Sequence, residues 1–382
     1  MKDFDLTEEQ RDIVKAVREF TDGEFELDRA RECDQEHEFP LDLYEKATEL
    51  GFIGIHFPEE YGGAGLGAFE NMLVVEELCR ADSTLGTATF IPKFGSEIIL
   101  RFGNDEQKSE YLPRVLDGEP CCGMFTEPEH GSDLSSVDTK AEKENGEWVI
   151  NGTKQFITNA EIADFGTVLC QTKTGAKHKG ESFLLVDDLQ DRDGVSINDV
   201  GTKFGIRSTS TGEVSFNDVR VSEENLIGGK NKGFYQAMEF FDESRIEVSA
   251  QALGIAECAF DKTIDYIQER EQFGQKLSKF EGIQFKIAEI ATKIEAAKNL
   301  LYKAARNFDR GNIDPRLTCM AKWYCGQTAV EAADEAIQLH GGYGYIADYD
   351  VERIYRDAKI TEIYEGTKEI QKYTIAREIL GR

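Results

Sequence analysis

The sequence predicts an α+β chain in three parts: helices over residues 1–120, a β region over 121–233 and a helical bundle over 234–382. Three observations predict it. Apolar residues recur at three- and four-residue steps at both ends of the chain. Short strand-like runs bounded by turn pairs fill the middle. The length of 382 residues is enough for several cores or one large composite core.

In the first part, Leu6, Ile13, Val14, Val17 and Phe20 make one apolar stripe, and Leu41, Leu43, Ala47 and Leu50 make another ahead of Gly51. The glycine-rich run from Pro58 to Gly67 reads as a loop, and helical spacing resumes at Asn71–Cys79 and Gly95–Phe102. Between Cys121 and Asn231 the candidate strands are Trp148–Ile150, Gln155–Thr158, Thr167–Cys170, Ser182–Val186 and Gly212–Phe216, which together imply a compact antiparallel domain. After Gly233, Ile264 and Ile267 mark one long helix. Ile283, Ile287, Ile290, Ile294, Ala297 and Leu301 mark a second, with a break near Phe273-Gly274.

Hydrophobic residues make up 40% of the chain and aromatics 10%, ample material for a core, yet no run is long enough to span a membrane. Met1–Asp5 leads into a polar helical pattern without the apolar core of a signal peptide, so a cytoplasmic location is expected. The formal charge of −29 speaks against nucleic acid as a partner. It also requires that any anionic ligand be held by local cations or helix N-termini. None of the eight cysteines has zinc-site spacing, and the five histidines do not pair with them, so no metal site is expected and reduced thiols are.

Four segments carry candidate chemistry. Met124-Phe-Thr-Glu-Pro-Glu-His-Gly-Ser-Asp133 places a Gly-Ser corner where helices give way to strands; it can bind a polar ligand or be an ordinary turn. Asn151-Gly-Thr-Lys-Gln-Phe-Ile-Thr-Asn159 reads as a hairpin turn leading into a strand with Phe156 and Thr158 on one face. Such a pair can cover a planar ring and bond to its edge, or can belong to a plain amphipathic strand. Gln338-Leu-His-Gly-Gly-Tyr-Gly344 lets a backbone or a phosphate approach closely. No strand precedes it, so it is not a dinucleotide-binding fingerprint. In Glu362-Ile-Tyr-Glu-Gly-Thr-Lys-Glu-Ile-Gln371, Glu365 precedes Gly366 and Thr367, which can open the last helix. A carboxylate there can project into a cavity beside N–H groups able to polarise a carbonyl, although a lone Glu is ordinarily a surface residue.

Taken together these segments resemble the acyl-CoA dehydrogenase family over essentially the whole chain. The likeness is carried by Thr126-Glu127-Pro128 with Gly131-Ser132-Asp133, by Gln338 through Asp357 (with Asp348 and Arg353), by Ile363–Thr367, and by Glu269-Arg270-x-x-Phe273-Gly274. Gly205-Ile-Arg-Ser208 and Asp357–Ile363 are most similar to the short-chain, butyryl-CoA type. The resemblance implies an N-terminal α-helical domain, a middle antiparallel β-barrel and a C-terminal four-helix bundle.

It also implies FAD as cofactor. Phe125 and Thr126 would meet its pyrimidine side, Phe156 would cover the ring and Thr158 would bond near N5. Arg270, Gln272 and Phe273 would serve the pyrophosphate and adenosine of an FAD bound mainly by a neighbouring subunit. Gln338, Gly341 and Gly342 would line that shared site, with Thr367 and Glu369 near the flavin, so a homotetramer is implied. For an acyl-CoA substrate, Ser132, Asp242 and Arg245 match positions that hold the pantetheine arm, Tyr364 and Gly366 flank the base, and Arg377 matches a less constant position near the nucleotide. Glu365 would remove the α-proton while the β-hydride passes to flavin N5, giving an α,β-enoyl-CoA. Electrons would then go to electron-transferring flavoprotein.

The chain departs from the family pattern at Glu129-His130, Glu281 and Glu369. Some relatives carry the base on the bundle helix; the matching residue here is Ser244, with Glu243 beside it as a minor rival. Thr89, Phe90, Ile91, Lys93 and Phe94 align with an acyl-pocket helix and would suit a short or compact, even cyclic, acyl group, or simply pack the α domain. Gly86 stands where glutaryl-specific relatives have an arginine, against a dicarboxylic substrate. Two alternatives remain: an enoyl-CoA reductase running the reverse reaction, and a non-catalytic CoA-binding protein of the same fold.

Overall fold

The computed structural model describes residues 6–381; the Met1–Asp5 segment read above lies outside them. Seven helices come first: α1 (Glu8–Glu24), α2 (Leu27–Glu36), α3 (Leu41–Glu49), α4 (Ala68–Ala81), α5 (Ser83–Phe90), α6 (Ser96–Phe102) and α7 (Asp105–Leu116). Thr7 starts α1 with a capping box, its hydroxyl accepting from the Gln10 N–H while the Gln10 side chain accepts from the Thr7 N–H. The stripe expected on α3 is narrower than its sequence suggested. Leu43, Tyr44 and Ala47 are buried, but Leu41 and Leu50 are 44% and 58% exposed, because they sit at the ends where the helix leaves the core.

The middle region has β1 (Cys121–Met124), β2 (Lys140–Glu144), β3 (Glu147–Thr158), β4 (Phe165–Gln171), β5 (Glu181–Val186), β6 (Val195–Asp199), β7 (Thr211–Ser222) and β8 (Leu226–Ile227). The strands run in the order β6-β7-β3-β2-β4-β5-β8, with β1 beside β4. They wrap around their own core of Trp148, Ile150, Leu184 and Val214, but the hydrogen-bonded path stays open. The sheet is mixed: β1 and β2 each pair with β4 in parallel, and the remaining pairings are antiparallel.

Two local expectations are corrected. No hairpin turn forms at Asn151-Gly152, where β3 runs through with a register shift opposite β7. The β2–β3 turn lies instead at Asn145 and Gly146, both at positive φ. Nor do Phe156 and Thr158 share a face by simple alternation. An irregularity between Lys154 and Ile157 puts Phe156 at φ 58°, and such a bulge re-aims a side chain.

The rest is helical: α8 (Gly233–Glu269), a hairpin of β9 (Glu271–Gln272) and β10 (Gln275–Lys276), then α9 (Glu281–Asp309), α10 (Pro315–His340), α11 (Val351–Ile360) and α12 (Lys368–Leu380). Helix α10 packs on α8, α9 and α12, and α8 also lies along α4, which joins the bundle to the N-terminal helices. All eight cysteines are buried and free.

The three parts meet at α11. Asp357 accepts from Ser83 Oγ (2.8 Å) and Thr84 Oγ1 (2.6 Å) of α5, and from the Ile206 N–H (2.6 Å) of the β region. One turn earlier, the fully buried Arg353 forms a fork on Asp82 at 2.9 and 2.8 Å and also reaches Thr84 at 2.6 Å. Gly205 passes so close to α11 that a Cβ would fall 2.1 Å from the Arg356 carbonyl oxygen. Arg353→Met would leave the buried Asp82 carboxylate without its cation. Its denaturation midpoint should therefore drop by an amount equivalent to about 3–5 kcal/mol; a chemical-denaturation curve superimposable on the parent's would contradict this.

Candidate active site

Helix α12 is opened by Thr367, whose hydroxyl accepts from the Ile370 N–H, and the two residues before it turn sharply, with Glu365 at φ 55° and Gly366 at φ 92°. A left-handed glutamate costs roughly 1–3 kcal/mol and persists only when its surroundings enforce it. Here they do. Gln371 Nε2 donates to the carbonyls of Glu365 (3.0 Å) and Gly366 (2.9 Å), Lys322 Nζ to the Gly366 carbonyl (2.7 Å) and Arg245 Nε to the Glu365 carbonyl (3.4 Å).

The turn thus faces α8, where Ser244 Oγ donates to the Glu365 carboxylate. Burial pushes that carboxyl up to about 6, against the pull of Ser244, Arg245 and Lys322; nearby Glu247 pushes it further up. Burial likewise brings the Lys322 ammonium down to about 7, with Glu365 opposing and Arg245 adding to the fall. Lys322 and Gln371 were missed in the sequence. The available signal was a lysine set in the buried stripe Thr318, Lys322, Cys325 and Ala329 of α10.

Around this turn, the Tyr364 hydroxyl donates to Gln251, which in turn donates to Thr87 Oγ1 at 2.9 Å. Asp242 accepts from Thr318 Oγ1 at 3.2 Å and lies 3.6 Å from Arg245, whose guanidinium rests over the Phe241 ring. Glu243 turns away from Glu365 to pair with Arg101 at 2.5 Å. Ser132 sits in an exposed loop, and Arg377 lies over the ring of Tyr373 on the outer side of α12.

The residues associated with FAD fall into two groups. In the first, Phe156 is 64% exposed, and Thr126 and Thr158 are half-buried. The Phe125 ring is instead buried, stacked on Phe240 at 5.3 Å, so it serves the seam between sheet and bundle. In the second, Arg270 lies over the Tyr343 ring, which brings the Arg270–Phe273 hairpin beside Gln338, Gly341 and Gly342. Phe273, at the hairpin tip, is 94% exposed. No hydrogen bond or ring contact among the described residues joins the two groups. Exposed rings at both places, with a cation beside one, fit a planar, phosphate-bearing cofactor. Glu369 lies exposed in the first turn of α12, where backbone N–H and the Thr367 hydroxyl hold its carboxyl below the usual range. Glu281 likewise begins α9, and Phe90 and Lys93 are buried.

Three family models, described as the N-terminal, middle and C-terminal domains of acyl-CoA dehydrogenase, match residues 7–119, 122–219 and 231–380. The chain is 42% identical, over 100% of its length and 96% of the relative's, to a protein named acryloyl-CoA reductase (NADH) from Anaerotignum propionicum. Among solved structures it is similar to butyryl-CoA dehydrogenase from Megasphaera elsdenii, at 36% identity and a TM-score of 0.94, covering 99% and 100% of the two chains. It is also similar, at 39% identity and a TM-score of 0.95 with both chains fully covered, to a chain in a structure described as the electron transferring flavoprotein of Acidaminococcus fermentans. Fold and comparisons define a flavin-dependent oxidoreductase acting on CH–CH bonds. The chain belongs to the acyl-CoA dehydrogenase family. Its cofactor is FAD, and no helix among the described residues is long and apolar enough to cross a membrane.

Ser244 lowers the proton affinity of Glu365, so Ser244→Ala should move the Glu365 titration above about 6. Infrared difference titration against Glu365→Gln would read it; an unmoved or lowered midpoint would mean that the hydroxyl does not act on the carboxylate.

Proposed function

We propose that Glu365 is the base that takes the α-proton of an acyl-CoA thioester, and that the chain works as an acyl-CoA dehydrogenase on a short or compact acyl group. The observation that carries this reading is the half-buried Glu365 carboxylate, raised to about 6 and aimed by a clamped turn. At neutral pH it is mostly ionised, as a base must be at the start of turnover, yet it holds a proton better than an exposed glutamate. No acceptor among the described residues takes the Glu365 N–H, which leaves this donor for the thioester carbonyl, where negative charge develops. Arg245 and Asp242 would hold the pantetheine arm with Ser132, beside Tyr364 and Gly366, and Arg377 would lie toward the nucleotide. When bound, FAD supplies the acceptor for the hydride that leaves the β-carbon. Phe156, Thr126, Thr158 and Thr367 would hold its ring, with Phe125 behind them. Arg270, Gln272, Phe273, Gln338, Gly341 and Gly342 would hold the far end of an FAD reaching from a neighbouring subunit, with Glu369 nearby.

A homotetramer is supported by the apolar surface the bundle leaves open, including Phe273, Phe285 and Tyr345. An electron-transferring flavoprotein as acceptor is supported by the likeness to the Acidaminococcus fermentans structure. The likeness to a protein named as a reductase favours a second reading, the same site used toward the saturated thioester.

Glu365→Gln keeps the volume and the backbone N–H but cannot accept the proton. It should bind FAD and acyl-CoA while anaerobic stopped-flow bleaching of the flavin slows by roughly 10²–10⁴-fold. Bleaching within about tenfold of the parent would place the base elsewhere. Arg270→Ala should lose bound flavin and tetramer together, since an unpaired phosphate costs roughly 2–5 kcal/mol. Gel filtration read at flavin and protein wavelengths checks it, and unchanged size with full flavin would count against a shared site.

A further inference from the structure

Beyond Ser244 on α8 stands Glu247, close enough to Glu365 to raise its proton affinity. Ser244, Glu247 and Gln251 lie at spacings of three and four residues, so they form one stripe on that helix. The stripe is pinned at both ends to the catalytic turn, by Ser244 on Glu365 and by Gln251 on Tyr364. Between them, the Glu247 carboxylate is 2.5 Å from Lys93 Nζ and accepts from Asn71 Nδ2 at 3.1 Å. Lys93 is 1% exposed and is held from its other side by Glu97 at 2.6 Å. A buried, saturated ion-pair network therefore stands one helical turn from the group that faces the α-carbon.

We propose that the Lys93–Glu247 pair is the floor of the acyl pocket and disfavours long acyl chains; this rests on the reading of Glu365 as the base. Each methylene of a longer chain would have to meet charged groups instead of apolar ones, so its transfer from water gains nothing. Displacing Glu247 to make room would leave Lys93 or Asn71 with a lost partner in a buried place, which is strongly unfavourable. The network is inherently unsuited to a long hydrocarbon tail, whereas a short tail ends before it.

The test is anaerobic flavin reduction of the FAD-loaded protein by butyryl-CoA and octanoyl-CoA, in the parent and in Glu247→Ala and Glu247→Gln. The parent should favour butyryl-CoA by at least roughly tenfold in the second-order rate constant of flavin reduction, the discrimination expected when added methylenes are not accommodated. Glu247→Ala, which opens space and removes the charge, should raise octanoyl-CoA reduction and narrow that ratio by about tenfold. Glu247→Gln, which keeps the volume, should narrow it less. Titrating both thioesters into the Glu365→Gln background reads the same change as binding. A parent that uses the two thioesters alike, or a flavin-replete Glu247→Ala whose ratio is unchanged, would overturn the floor and leave the base intact. Reduction by neither thioester nor any other acyl-CoA would overturn the Glu365 reading and this proposal with it.

Discussion

Asp357 receives hydrogen bonds from Ser83, 274 positions earlier in the chain, from Thr84 beside it, and from the Ile206 N–H, 151 positions earlier. Its helix also carries Arg353, forked on Asp82. Everything that follows in the chain hangs from this point. Helix α11 leads directly into the turn at Glu365, so the position of that turn relative to α8 depends on how α11 is seated against the helical and β regions. The arrangement needs charge in a buried place, which is tolerable because Arg353 Nη1 and Nη2 both reach Asp82 while Asp357 accepts three hydrogen bonds. Burial raises the Asp357 proton affinity, while Arg353, Thr84, the Ile206 N–H and Ser83 pull it down.

The plan of helices, sheet and bundle was legible because it rests on periodicity, which is local. The turn at Glu365 was legible because glycine and a capping threonine follow it directly. Other features rest on contacts no local pattern carries. Asn145-Gly146 and Asn151-Gly152 are the same dipeptide, and only the first makes a turn. The second lies within a strand held opposite β7, in a backbone conformation that leaves no room for a Cβ beside Thr139. Lys322 and Gln371 read as ordinary polar positions on helices; their importance comes from carbonyls brought to them by the fold. Asp348, Arg353 and Asp357 entered the reading only as positions of the family motif that begins at Gln338, and nothing local showed that Arg353 and Asp357 join parts of the fold.

The formal charge of −29 made anion binding look difficult, and the structure resolves this by position. Many cations are already engaged in ion pairs across helix contacts, as Arg356 with Asp34 and Lys298 with Glu76. Arg245 is buried at the Glu365 turn, where its ion pair with Asp242 is longer, at 3.6 Å. A local positive potential can therefore persist inside an acidic molecule, because low-dielectric walls and short distances outweigh the distant, screened surface.

The left-handed backbone at Glu365 has a consequence for what this position can become. Asparagine and aspartate enter that conformation more readily than glutamate does. An aspartate would relax the turn but fall one methylene short of Ser244 and of whatever lies beyond it. The chain therefore keeps the residue with the worse backbone and the longer arm. Reach is fixed by the side chain and aim by the main chain, and improving either alone would spoil the other.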